Sequence, residues 1–216
     1  MASEVQSIPV TPARRVALAG CCAVHALQDG FIATMYVLLP LLAETFGLSY
    51  AQVGAIRALH ASALSVLEIP SGILAERLGE RPLMVMGMFL GGTGYLLLSM
   101  ADGIVGIGAC LFVAGVGGAF QHALSSSVIS RSFAGTAPRS ALGTYNSAGD
   151  VGKLAFTGLF SLSLAFGLSW QQVVTGYGLL GQLNGLVMIL DLIKQVQRGI
   201  ARVLGLAHFE GVQITL

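Results

Sequence analysis

Charged residues are scarce along most of this chain, and where they return they divide it into six apolar stretches, roughly residues 16–42, 51–73, 82–100, 104–130, 140–166 and 170–192. A helix needs about 20 mostly apolar residues to cross the hydrocarbon core of a bilayer. The pattern therefore predicts an all-α integral membrane protein with six transmembrane helices. Ser49 with Gln52, and Ser169 with Gln172, have the spacing of a capping box, in which each partner satisfies a backbone N–H that the helix start leaves orphaned. Pro82 suits a first helical turn, where its missing N–H costs nothing. Tyr50 and Trp170 follow the two capping serines, and aromatic rings are favoured at the bilayer interface. Beyond the sixth stretch, Ile193, Val196, Ile200, Val203 and Leu204 recur at helical spacing, with Lys194, Arg198 and Arg202 on other faces. This predicts an amphipathic helix over 193–206 on the membrane surface; a frayed extension is the alternative. Residues 1–15 and 207–216 are read as tails.

Lys and Arg beside short loops are retained on the cytoplasmic side. Arg14, Arg15, Arg77, Arg81, Arg131, Arg139, Lys194, Arg198 and Arg202, nine of the eleven basic residues, fall on one side of the predicted topology. Arg57 and Lys153 lie within spans, so both termini are expected in the cytoplasm. Composition agrees: 55% of residues are hydrophobic and 10% charged, mean hydropathy is +0.80, and soluble domains carry about 25% charged residues. The expected location is an inner or plasma membrane.

Several motifs point elsewhere and are set aside. Arg14 and Arg15 ahead of Leu18-Ala-Gly-Cys21 resemble a lipoprotein leader, but only five residues separate Arg15 from Cys21 and the apolar run continues past the cysteine. Cys21, Cys22 and Cys110 lack the spacing of a metal site or redox pair and read as buried small residues. Gly115 to Gly118 has no preceding strand, and Gly149 to Lys153 has the wrong spacing for a phosphate loop. No catalytic constellation survives, so neither an enzyme nor a resident cofactor or metal is expected. Gly47-Leu-Ser-Tyr and Gly167-Leu-Ser-Trp look like a repeat and are read as one capping job done twice.

Ionisable groups inside a membrane are costly and mark pathways or relays. His25, Gln28 and Asp29 share a face of the first span, and Arg57, His60 and Glu68 a face of the second. Gln121 and His122 lie in the fourth, and Asn146, Asp150 and Lys153 recur along the fifth. Asp29 is a mid-span carboxylate with no cation in its own helix, which suits a proton carrier; the others are cavity or substrate candidates. Each has a structural alternative: an Asp150–Lys153 pair within one helix, an Arg57 reaching outward to water, histidines satisfied by packing, a Glu68 tying two helices together.

The segment Ser71 to Arg81 holds Gly72-x-Leu74-Ala75-Glu76-Arg77-x-Gly79-x-Arg81 between the second and third spans. It resembles the signature loop at that place in transporters of the major facilitator superfamily. A narrower resemblance, to the fosmidomycin-resistance branch of drug exporters, rests on His25 to Asp29, Leu39 to Leu48, Gly115 to His122 and Tyr145 to Gly152. Glu76 replaces a commoner Asp, Glu80 a commoner base, and Gln121-His122 stands where that branch has His-Pro. The resemblance implies a three-plus-three inverted-repeat bundle whose helices 1, 2, 4 and 5 border the path, with Gly72, Glu76, Arg77, Gly79 and Arg81 as a gating loop. Such transporters have two six-helix bundles with substrate between them, and this chain supplies one. The implied activity is proton-coupled export of a small organic molecule or drug, with a homodimeric or separate second half. The alternative is a truncated or non-transporting half that is inactive or serves as a structural membrane partner. The bilayer and a small molecule are the expected partners, and nucleic acid is not.

Overall fold

A computed structural model describes residues 11–135 and 138–203 of the chain. Its elements are α1 (Pro12–Phe46), α2 (Tyr50–Leu78), α3 (Glu80–Leu98), α4 (Gly103–Ser132), α5 (Pro138–Ala165) and α6 (Trp170–Val203). All but α5 are long and apolar enough to cross a membrane; α5 is long enough but carries more polar residues. The helix starts follow their sequence signals. Thr11 caps α1 through its hydroxyl, with Pro12 in the first turn, and Ser49 and Gln52 form the expected reciprocal capping box. Ser169 and Gln172 repeat it at α6. Gly47 and Gly167 adopt positive φ and turn the chain into these caps, so the apparent repeat is the same turn used twice. Of the two aromatics beside the caps, Tyr50 is exposed, whereas Trp170 turns inward onto Phe46, ring centroids 6.2 Å apart.

Several helix boundaries differ from expectation. The charged segment Ser71 to Arg81 is mostly not a loop: α2 continues to Leu78, α3 begins at Glu80, and Gly79 alone joins them. Apolar patterning loses a helix when it leaves the hydrocarbon, although hydrogen bonding carries the helix on. Gly79 has φ 86° and ψ 153°, a region open essentially to glycine alone. Likewise α6 runs unbroken to Val203, so the stretch from Ile193 to Val203 continues a transmembrane helix rather than forming a separate one. Of the predicted tails, residues 1–10 and 207–216 lie outside the described residues, as do residues 204–206 of the predicted surface helix and the side chains of Ile200, Arg202 and Val203.

Helices adjacent in sequence mostly pack weakly; α3 with α4 is the exception. The other strong pairs are α1 with α5, α2 with α4 and α3 with α6. The helices therefore stand in the order α5, α1, α4, α2, with α3 and α6 behind them. Exchanging α1–α3 for α4–α6 turns the α1–α5 pair into the α4–α2 pair, the relation an inverted three-plus-three repeat requires. A core of Phe31, Met35, Leu38 and Leu42 from α1 meets Met88 and Tyr95 from α3, Ile107 and Leu111 from α4, and Val174 and Tyr177 from α6. Tyr95 donates its hydroxyl to the Phe31 carbonyl.

Lipid is as apolar as the side chains, so helix association in a membrane rests on close packing through small residues. A Cβ on Gly117 of α4 would lie 2.5 Å from Gly87 O and from Gly91 N of α3. At the α1–α5 seam, a Cβ on Gly152 would overlap the backbone of Ala26. The second contact brings the polar faces of α1 and α5 within hydrogen-bonding reach.

Candidate functional site

α2 and α5 do not pack against each other, and between them lies an open trough of about 550 Å³. Its walls come from α1, α2, α4 and α5 only, the four helices that the family resemblance implies as borders of the path. His25 and Asp29 reach it from α1, Arg57, His60 and Glu68 from α2, His122 from α4, and Asn146, Asp150 and Lys153 from α5.

Asp29 is the hub. Its carboxylate is buried yet has three partners on three helices: Lys153 Nζ at 3.1 Å, His122 Nε2 at 3.4 Å and, one turn earlier on α1, His25 Nε2 at 3.6 Å. Lys153 also donates to Asp150 Oδ1 at 2.9 Å, so the intrahelical pair read from sequence forms, and its cation is shared with Asp29 on another helix. A buried charge is tolerated only when paired, and here the pairing requires α1 and α5 to stay together. Gly149 makes room for it: a Cβ there would come within 2.5 Å of His25 Nε2 and 2.6 Å of Asp29 Oδ2. The Tyr145 ring, one turn before Gly149, stacks on the His25 imidazole at 3.9 Å and 13°. The donor atoms of His25, Asp29 and His122 lie within 4.8 Å of one another, a spacing that metal ligands also show. Lys153 already supplies the cation, and the arrangement reads as an ion-pair network.

Arg57 sits nearer the capped end of α2. Its Nη2 donates to the Tyr36 hydroxyl at 2.9 Å, and its guanidinium lies 4.9 Å from the centroid of that ring. His60 is 2% exposed, and its Nδ1 has no hydrogen-bond partner among the described residues. Two candidates do not reach the trough. Gln28 turns toward α3 and α4, where its side-chain amide lies beside Gly91 and Gly118. Gln121 is buried and accepts a hydrogen bond from Ser125 at 2.9 Å. Sequence spacing put Gln28 on the face of His25 and Asp29, but three residues advance the helix by a little less than a turn, and the offset is enough to rotate an amide into the core.

Residues not singled out as site candidates also shape the trough. Tyr145 orients His25, and Tyr36 holds Arg57. Both signals were present as helical spacings: Tyr145 lies one turn from Gly149, and Tyr36 two turns from Asp29. The segment read as a gating loop lies away from this cluster. Glu76, Arg77, Gly79 and Arg81 are exposed, a Cβ on Gly72 would meet nothing within 4 Å, and Glu80 pairs with Arg131 at the end of α4.

The sequence model of the Major Facilitator Superfamily matches residues 20–203. The inner membrane transport protein YajR of Escherichia coli (strain K12) is 31% identical over 103 residues, which cover 45% of this chain and 22% of that protein. A bacterial homologue of the human lysosomal transporter Spinster, in an inward-facing and unoccupied conformation, superimposes with a TM-score of 0.70 at 17% identity over 84% of this chain and 43% of that one. Its inward-facing occupied form gives 0.68 at 20% identity, over 84% and 45%. These likenesses show the fold, and the matched region spans less than half of each of these relatives.

Proposed function

Because the chain belongs to the Major Facilitator Superfamily, a family of transporters and not of enzymes, we propose that it works as one half of a proton-coupled secondary transporter. A second six-helix bundle, from another copy or a separate chain, closes the trough between α2 and α5. The observation that carries this reading is the position of Asp29, a buried carboxylate that ties α1 to α4 and α5 on the wall of the trough. Protonation of Asp29 removes the charge that holds the two histidines and leaves Lys153 to Asp150 alone, and the histidines are then free to meet cargo. Such a change biases the bundle between arrangements open to either side, as differential stabilisation of two states requires. The cargo is a small organic molecule, and the resemblance of four segments to the fosmidomycin-resistance exporters supports export. Arg57, His60, Asn146 and Asp150 line its site. The distribution of basic residues supports cytoplasmic termini.

Reconstitution in liposomes under an imposed pH gradient, with a panel of labelled small organic molecules, tests the reading. Asp29→Asn is expected to abolish gradient-driven flux while sparing exchange of cargo between the two sides. Gradient-driven flux at the wild-type rate in that variant removes Asp29 from the role. A second reading is a half that does not transport and steadies another membrane protein. It predicts no flux of any compound and a stable monomer by native mass spectrometry.

A further inference from the structure

A second cavity, of about 600 Å³, shares no lining residue with the trough. It opens between α1, α3 and α6 at the end of the bundle where basic residues gather. Its walls are apolar, with Val16 and Val24 from α1, Val85 from α3 and Met188 from α6, and its mouth carries Arg81 and Arg198. Neither arginine has an ion pair among the described residues. From Met188 to Arg198 the wall rises ten residues, or ~15 Å at the helical rise per residue. That is half the ~30 Å hydrocarbon thickness of a bilayer, the depth of one leaflet. Gly20 leaves the slot open, since a Cβ there would meet nothing within 4 Å.

We propose that this cavity holds one anionic phospholipid from the adjoining leaflet, with an acyl chain in the apolar slot and its phosphate between Arg81 and Arg198. The guanidinium fork matches phosphate oxygens in pairs, and basic pockets between transmembrane helices take anionic head groups. Asp191 also lines the cavity, so its three charged side chains sum to +1, which a monoanionic head group neutralises and a zwitterionic one does not. The slot length fixes the occupant as a lipid rather than a soluble anion. The inference rests on the membrane fold and is independent of the transport reading.

The test is native mass spectrometry of the purified chain in detergent, with phosphatidylglycerol, phosphatidylcholine or glycerol phosphate added. Phosphatidylglycerol is expected to stay bound at one molecule per chain, with affinity at least tenfold above phosphatidylcholine. The double variant Arg81→Gln, Arg198→Gln should lose that preference. Gly20→Phe, which fills the slot and leaves both arginines in place, should expel the lipid, and Asp191→Asn should tighten it. Equal retention of the two lipids, or an undiminished preference in the double variant, overturns the proposal. Tight binding of glycerol phosphate that Gly20→Phe does not change overturns it in favour of a plain anion site.

Discussion

At the scale of single residues, the ion network makes an asymmetric prediction about stability. Asp29 is 5% exposed while the Lys153 side chain is about half exposed, at 48%. Removing the lysine leaves the buried carboxylate with only the two histidines; removing the carboxylate leaves a lysine that keeps water and Asp150. Stranding one partner of a buried pair costs roughly 3–5 kcal/mol, and the exposure of Lys153 brings the expected cost of Lys153→Met to about half of that. Asp29→Asn should cost less than ~1 kcal/mol, and the double variant should be more stable than Lys153→Met alone. Melting curves in detergent for the four proteins measure the coupling, and strictly additive effects would contradict the network. Sequence gave the members of this cluster but not their pairing. Helical spacing placed His25 and Asp29 together on α1, whereas the contacts with His122 and Lys153 depend on how four helices pack. The same limit sent Gln28 and Gln121 to the wrong place, since helical spacing sets a face only to within a few tens of degrees.

At the scale of helices, two glycines do different work. Gly152 permits the α1–α5 seam, and Gly152→Ala would press a methyl into the Ala26 backbone. Overpacking of this kind typically costs about 1–3 kcal/mol, and here it should also separate Lys153 from Asp29. Gly143 on the same helix has open space around it, so Gly143→Ala should melt within a degree or two of the parent. Gly79 matters for its backbone, and Gly79→Ala should lose about 1–3 kcal/mol, because the φ and ψ it holds are barred to a side chain. Thermal melting of the three variants side by side checks the ordering. The six helices themselves were legible, because membrane spans declare themselves by length and apolarity. Their ends were not: α2 and α6 run past the apolar signal, where charged side chains reach into water from backbone that is still helical.

At the scale of the whole molecule, the bundle presents faces suited to a second one. Val66, Ile69 and Ile73 on α2, and Val151 and Leu154 on α5, are more than half exposed, and Gly72 has room beside it. If two copies meet there, Gly72→Cys in one chain should crosslink to Gly143→Cys in the other once Cys21, Cys22 and Cys110 are replaced. Crosslinking should depend on both introduced cysteines, and no dimer under mild oxidation would count against a homodimer. The interleaving of the helices bears on how the protein is made. α1, α2 and α3 barely touch one another, and every strong contact they make is to a helix from the later half. A nascent chain that has delivered only its first half to the membrane therefore holds three spans with lipid for neighbours, and tertiary structure must wait for α4. Synthesis arrested after Leu98 should leave a product that proteases clear quickly, whereas arrest after α6 should not. The long-range pairing that builds the trough thus also sets the interval in which the newborn protein is most exposed to degradation.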